Sequence, residues 1–190
     1  MIYTLSTKGY IEIADYESLS TQCYYDSDVP PVKTLGIGLT KYDVSTIDEI
    51  SWTLEFTVQQ IVDMFKSALI PYIKAVNDAI KGVILTQQQF DALVSFTYNL
   101  GIGDIQKGSL INTVNSGGNS RQIRSAFMDY DHAGGKVVKG LYNRRVKEAN
   151  LYTLGVYSNT TGKINHFPVD GKTHKPLYSK GILITIAEYL

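Results

Sequence analysis

Two carboxylic acids and a hydroxyl group near the start of the chain have the types and the spacing that acid–base catalysis needs. Glu17 continues the apolar stripe of a predicted short helix, at a position where a leucine would be expected. The preceding positions of that stripe are Tyr10, Ile13 and Ala14. A carboxyl group on a buried helix face loses hydration in its charged form, which raises its pKa and suits it to act as a general acid.

A second carboxylate and a glycine-rich turn follow in the same stretch. Asp26 comes after eight intervening residues, and Thr34 opens the turn Thr34-Leu35-Gly36-Ile37-Gly38. Each feature alone has an ordinary structural explanation: a Glu at a helix end is commonly solvated or paired with an Arg, and an Asp beside Ser27 is commonly a turn residue. The whole set, in one short stretch, indicates a site built for chemistry.

These residues resemble the active-site signature of the bacteriophage lysozymes, glycoside hydrolase family 24. That family has the patterns F-E-G-L, Y-x-D and T-I-G-x-G, and this chain has Tyr16-Glu17-Ser18-Leu19, Tyr24-Tyr25-Asp26 and Thr34-Leu35-Gly36-Ile37-Gly38. The interval from Glu17 to Asp26 matches the family. Three further blocks also resemble it, namely Leu85 to Phe96, Tyr98-Asn99-Leu100-Gly101, and Ala133-Gly134-Gly135 to Glu148. The resemblance covers roughly residues 8 to 155.

The chain departs from the family pattern in the loop after Asp26. The interval from Asp26 to Thr34 is two residues longer than usual, and Asp28 has the usual distance to Thr34. Asp28 is therefore an alternative base. We favour Asp26, because both the interval from Glu17 and the pairing with Tyr24 select it. Outside this loop, three family residues are replaced: a Gly by Ser18, a His by Leu39 and a Trp by Tyr130.

The resemblance implies a predominantly helical α+β fold, lysozyme-like and two-lobed, with a small antiparallel sheet lobe and a helical lobe. It implies hydrolysis of the β-1,4 bond between N-acetylmuramic acid and N-acetylglucosamine in bacterial peptidoglycan, with inversion of configuration. Glu17 would be the general acid and Asp26 the general base, with Thr34 holding the attacking water. Tyr98 and Asn99 are the predicted substrate contacts.

The residues alone leave other functions open. The chain could be a non-catalytic wall-binding or phage assembly protein that retains the fold. It could also be an antibacterial effector that degrades peptidoglycan, or an enzyme acting on chitin. The presence of Glu17, Asp26 and Thr34 together argues against a non-catalytic protein.

Composition limits the partners and cofactors. The formal net charge is zero, so no global field favours nucleic acid or a membrane surface. His132, His166 and His174 are scattered, so we predict neither a metal site nor another cofactor. A single cysteine, Cys23, is typical of a chain that folds in a reducing compartment. We expect a monomer whose partner is the peptidoglycan glycan strand.

The first residues lack a basic region and a long apolar core, so they do not resemble a secretory signal, and no window has the length of a membrane span. We expect synthesis in the cytoplasm of the bacterial host, followed by action on the cell wall after release through a holin pore.

Residues 1–155 are predicted to form the catalytic domain, with residues 156–190 as a C-terminal extension packed on it. Residues 21 to 40 predict a short antiparallel sheet. Capping boxes beginning at Thr57 and Thr86 predict two helix starts. The remaining expectations are a kink or division at Pro71, helix caps at Ser109 and Ser120, and a last helix from about 141 to 154.

Overall fold

The structure, a computed structural model, describes residues 2–27 and 30–190. Helices predominate in these residues, and the strands form small antiparallel pairs. This confirms the predicted α+β class. No helix among the described residues is both long enough and apolar enough to cross a bilayer.

The α-helices of the described residues are α1 (Thr7–Glu17), α2 (Val58–Ala79), α3 (Gln87–Leu100), α4 (Ile102–Lys107), α5 (Ser109–Asn115), α6 (Ser120–Met128) and α7 (Lys139–Leu154). Short 3-10 helices span Ile47–Glu49, Tyr178–Lys180 and Ile186–Glu188.

The strands are β1 (Ser20–Tyr25), β2 (Lys33–Gly36), β3 (His132–Ala133), β4 (Lys136–Val137), β5 (Lys163–His166) and β6 (Ile182–Thr185). They pair antiparallel as β1–β2, β3–β4 and β5–β6. In the first pair Tyr24 lies opposite Thr34, and the register is irregular between Ser20 and Tyr24. The β1–β2 pair confirms the sheet predicted for residues 21 to 40.

The chain divides into two compact units. The first unit comprises Met1–Glu12 and Ile70–Thr160, and the second comprises Ile13–Leu69 and Thr161–Leu190. Residues 161–190 thus cluster with the stretch that holds the sequence motif around Glu17. The predicted partition into residues 1–155 and 156–190 stays a prediction.

Helix α1 begins at a side-chain cap and buries the predicted apolar stripe. The Ser6 hydroxyl oxygen accepts the Gly9 backbone N–H at 3.0 Å, which caps the first turn. Ile13 and Ala14 are fully buried on the predicted stripe. The helix ends at Glu17 because Ser18 has a φ of +60°, which a continuing right-handed helix does not allow.

The two capping boxes are confirmed. Gln60 donates its N–H to the Thr57 hydroxyl at 3.2 Å, and Thr86 forms the reciprocal pair with Gln89. Helix α2 is not divided at Pro71, which lies inside its 22 residues.

The predicted caps at Ser109 and Ser120 are wrong by one residue, because each helix has its N-cap residue one position earlier in the chain. Gly108 precedes α5, and the Asn119 side chain accepts the N–H of Gln122 to cap α6. The Asn amide oxygen reaches the third helical N–H, so Ser120 becomes the first residue of the helix instead. Helix α7 begins at Lys139, two residues before its predicted start.

The core of the first unit includes a buried ionic cluster between α3 and α7. Glu148 accepts hydrogen bonds from the Ser95 hydroxyl at 2.7 Å and from Arg144 Nε at 3.1 Å. Arg145 Nε lies 2.8 Å from the other Glu148 oxygen, and both Arg145 and Glu148 are fully buried. Because one carboxylate serves two guanidinium groups and a hydroxyl, this cluster ties the two helices together.

Candidate active site

Glu17 is the last residue of α1, and its half-buried carboxyl group lies against the turn that follows β2. Gly38 in that turn has a φ of +72°. A Cβ atom at position 38 would lie 3.0 Å from Glu17 Oε2, which is tighter than most real contacts. Glycine is therefore favoured here for two reasons. Its backbone adopts this φ readily, and a Cβ atom would force the Glu17 carboxyl group to shift by a few tenths of an ångström.

Asp26 follows directly after β1, and two hydrogen bonds to Val32 fix it. The Val32 N–H donates to Asp26 Oδ1 at 2.8 Å, and the Asp26 N–H donates to the Val32 carbonyl at 3.1 Å. These bonds hold the carboxylate at the start of the loop between β1 and β2. The alternative base, Asp28, lies outside the described residues.

Thr34 is buried in β2, and its hydroxyl lies beside Asp26. Thr34 Oγ1 is 3.5 Å from Asp26 Oδ2 and donates to the Val32 carbonyl at 3.2 Å. A separation of 3.5 Å is at the outer limit of a hydrogen bond, and Thr34 Oγ1 lies closer to the Val32 carbonyl, so the direct bond from the hydroxyl to Asp26 is weak. Glu17, Asp26 and Thr34 all belong to the second unit.

Two tyrosines that the sequence motifs did not assign to the site lie near both carboxylates. Burial raises the pKa of the Tyr24 phenol strongly, and the charges of Tyr178, Glu17 and Asp26 raise it further, while the Gly38 backbone N–H opposes them. Partial burial also raises the pKa of Tyr178, again with help from the charges of Glu17 and Asp26. Both phenols are therefore protonated at neutral pH and can donate hydrogen bonds.

The sequence contained a signal for only one of these tyrosines. Tyr24 is part of the family pattern Y-x-D, which selects Asp26 as the base but assigns no role to the tyrosine. Tyr178 lies more than 150 residues from Asp26 and outside the family resemblance. No local pattern could connect it with the motif.

The predicted substrate contacts belong to the first unit. The Tyr98 ring lies 5.2 Å from the Tyr72 ring in an edge-to-face arrangement. Asn99 Oδ1 accepts a hydrogen bond from Arg145 Nη2 at 2.8 Å. These contacts fix both side chains at the end of α3, and their role in binding substrate stays a prediction.

The site contains proton donors, proton acceptors and hydroxyl groups. Across residues 2–27 and 30–190, no group of three or more His, Cys, Asp and Glu side chains is arranged to hold a metal ion. Two carboxyl groups, a buried hydroxyl and two protonated phenols can transfer protons and orient a polar substrate.

Comparisons with known proteins place residues 14–148 in the family described as phage lysozyme, whose sequence pattern matches that range. The endolysin of Bacillus phage PZA is 34% identical over 157 residues, which is 83% of this chain and 58% of that protein. The endolysin of Bacillus phage B103 is 30% identical over 177 residues, 93% of this chain and 64% of that protein. The chain thus spans less than two thirds of the length of these relatives.

A solved structure gives the same result for the fold. The endolysin from Escherichia coli O157:H7 phage FAHEc1 superimposes with a TM-score of 0.71 and 32% sequence identity. The match covers 83% of this chain and 98% of that endolysin. It confirms the expected lysozyme-like fold.

Proposed function

The chain belongs to the phage lysozyme family, and on that premise we propose that it is an endolysin. Its reaction would be hydrolysis of the β-1,4 bond between N-acetylmuramic acid and N-acetylglucosamine in peptidoglycan. The observation that carries this proposal is the joint placement of Glu17, Asp26 and Thr34 in one compact unit, where Val32 backbone groups hydrogen-bond to the Asp26 and Thr34 side chains. The motif lies within the family match, which begins at residue 14.

In the proposed mechanism, Glu17 donates a proton to the bridging oxygen as the bond from that oxygen to the anomeric carbon breaks. A water molecule attacks the anomeric carbon from the opposite face, and Asp26 takes up the proton that this water loses. The Thr34 hydroxyl helps to hold the water. Attack from the opposite face inverts the configuration, and it requires carboxyl groups roughly 6.5–9.5 Å apart so that water fits between them.

The geometry around Asp26 supports its role as the base. Oδ1 accepts the Val32 N–H, which orients the carboxylate, and Oδ2 faces Thr34 Oγ1 at 3.5 Å. A water that contacts both Oδ2 and the Thr34 hydroxyl would be oriented by a proton acceptor on one side and a hydroxyl on the other. This is the arrangement that base-assisted attack by water needs.

Tyr98 and Asn99 are proposed to contact the glycan strand. The formal net charge of zero gives no global field that favours nucleic acid. We propose that peptidoglycan is the partner of the chain and that the chain acts as a monomer. Its proposed route is synthesis in the host cytoplasm and release to the wall through a holin pore.

The test is clearing of a suspension of bacterial cell walls by the wild type, by Glu17→Gln and by Glu49→Gln, a control at an exposed glutamate. We expect clearing by the wild type and the control, and a loss of at least about 100-fold in Glu17→Gln, since general acid catalysis contributes about that much or more. NMR of the first product on a defined glycan should show the inverted anomer.

Other results would reject parts of the proposal. Clearing by Glu17→Gln at the wild-type rate would exclude Glu17 as the acid. No clearing by the wild type would favour a non-catalytic wall-binding or assembly protein. Release of chitin oligomers without muropeptides would favour a chitin-degrading enzyme.

A further inference from the structure

The C-terminal segment (residues 161–190) is hydrogen-bonded to the backbone at both ends of the stretch that joins the two carboxylates. The Leu19 N–H donates to the Asn165 carbonyl at 2.8 Å, and the Phe167 N–H donates to the Leu19 carbonyl at 2.9 Å. The Tyr25 N–H donates to the His174 carbonyl at 2.8 Å. Leu19 comes two residues after Glu17, and Tyr25 comes directly before Asp26. The segment therefore supports the chain beside each carboxylate.

A row of aromatic rings leads from the sheet to this segment. The Tyr24 ring packs edge-to-face on the Phe167 ring, with centroids 5.1 Å apart. The Phe167 ring in turn contacts the Tyr178 ring at 4.7 Å. Phe167 is fully buried, whereas Tyr178 is 54% exposed. Tyr178 is thus held from one side and open to solvent on the other.

Tyr178 is connected to the site by this packing, because Tyr24 lies opposite Thr34 and two residues before Asp26. Partial burial raises the pKa of the Tyr178 phenol, and the charges of Glu17 and Asp26 raise it further. A tyrosine in this position offers a flat apolar face and a polar end. Such a side chain binds at low cost in conformational entropy, since it has few side-chain torsions and is already held by packing. A pyranose ring, with C–H groups on its faces and hydroxyls at its edge, is chemically complementary to it.

We propose that Tyr178 is a substrate-binding residue that contacts the sugar at the cleavage position, and that the C-terminal segment thereby completes the active site. The proposal rests on the function proposed above. It assigns a role to a segment that lies beyond the family match, which ends at residue 148. The segment also supports the backbone beside Glu17 and Asp26, but the contact with the sugar is the part that a side-chain substitution can isolate.

The kinetic test compares Tyr178→Phe, Tyr178→Ala and the control Tyr42→Ala on soluble peptidoglycan fragments. Tyr42 is 85% exposed, and its ring is contacted by Lys41 in the same unit. Tyr178→Phe keeps the ring packing on Phe167 and removes only the hydroxyl. We expect it to lower kcat/KM by roughly 3- to 10-fold, the effect of one lost hydrogen bond, with an unchanged melting temperature. Tyr178→Ala should lower kcat/KM more than Tyr178→Phe does, through a higher KM. Tyr42→Ala should have the kinetics of the wild type.

A binding test separates this proposal from the proposed catalysis. Calorimetry would compare the affinity of a soluble peptidoglycan oligosaccharide for Glu17→Gln with its affinity for the double variant Glu17→Gln and Tyr178→Ala. We expect the double variant to bind roughly 10-fold more weakly, the loss that truncation of an aromatic contact residue commonly causes. If that loss occurs while the wild type fails to cleave, the catalytic proposal falls and the binding role of Tyr178 stands.

Two results would overturn the inference. The first is equal affinity of the single and double variants together with kinetics of Tyr178→Phe within twofold of the wild type. The second is a loss of activity in Tyr178→Ala that is fully explained by a lower folded fraction, with an unchanged KM. Either result would make Tyr178 a packing residue only.

Discussion

Gly38 lies directly beside the Glu17 carboxyl group: a Cβ atom at position 38 would lie 3.0 Å from Glu17 Oε2 and 3.3 Å from the carboxyl carbon. The glycine turn and the acid at the end of α1 are thus parts of one arrangement, although 20 residues separate them in the chain. The turn sets how closely the backbone can approach the carboxyl group.

Gly38→Ala should therefore lose both stability and activity. Left-handed backbone costs about 1–2 kcal/mol for a residue with a Cβ atom, and the clash displaces Glu17 as well. The control is Gly117→Ala, because Gly117 has the same φ of +72° and open space where a Cβ atom would lie. Chemical denaturation should show a similar loss in both variants, and only Gly38→Ala should lose kcat. Equal kcat values would contradict the proposed coupling.

Ser18→Gly should stabilise the protein. Ser18 has a φ of +60°, where glycine is favoured, and its N–H still closes the helix on the Ala14 carbonyl at 2.9 Å. Relief of the backbone strain is about 1 kcal/mol, or roughly 2–4 °C in melting temperature for a chain of this size. Ser67→Gly in the helical interior of α2 is the control and should destabilise by about 0.5–1 kcal/mol. A lower melting temperature for Ser18→Gly would show that the backbone at this position is not strained.

The choice between Asp26 and Asp28 can be decided by matched substitutions to asparagine. If Asp26 is the base, Asp26→Asn should lower kcat by roughly 100-fold or more, because a positioned general base contributes about that much. Asp28→Asn should keep kcat within about twofold of the wild type. The initial rates of wall clearing measure both. The opposite pattern would assign the base to Asp28.

Glu148→Gln should be strongly destabilising. Its carboxylate contacts Arg144 and Arg145 in a buried cluster, and removing one charge of a buried ionic cluster costs about 3–5 kcal/mol. Asp78→Asn is the control, because the Lys74–Asp78 pair is exposed and such pairs contribute about 0–1 kcal/mol. Urea denaturation of both variants measures the difference. Similar losses would show that the buried cluster contributes no more than a surface pair.

Alkaline pH should destabilise the fold through a half-buried tyrosine, Tyr152. Burial raises the pKa of Tyr152 to about 12 from its ordinary value of 10.0. The folded state therefore holds this proton more tightly than the unfolded state, and its contribution is complete below about pH 10 and lost between about pH 10 and 12. Tyr152→Phe should lose less stability over that window than the wild type. Melting temperatures measured from about pH 8 to 12 test this, and identical slopes would contradict it.

Local sequence signals determined much of the fold because they act over a few residues. The apolar stripe up to Glu17, and the capping boxes at Thr57 and Thr86, each depend on neighbours one or two turns away. Such interactions can be read without knowing the path of the chain. The N-cap residues of α5 and α6 are Gly108 and Asn119, each directly before the predicted serine. Local signals therefore located these two helix starts only to within one residue.

The motif residues were also accessible from sequence, since Glu17, Asp26 and Thr34 lie within 18 residues of each other. Tertiary structure decided the rest of the site. Only the folded chain brings Tyr178 and Phe167 beside Tyr24, and only it places Gly38 against the Glu17 carboxyl group. These contacts depend on where a segment distant in sequence packs. Hydrophobic periodicity and residue spacing do not encode that position, because packing is decided by the burial of whole surfaces rather than by neighbouring residues.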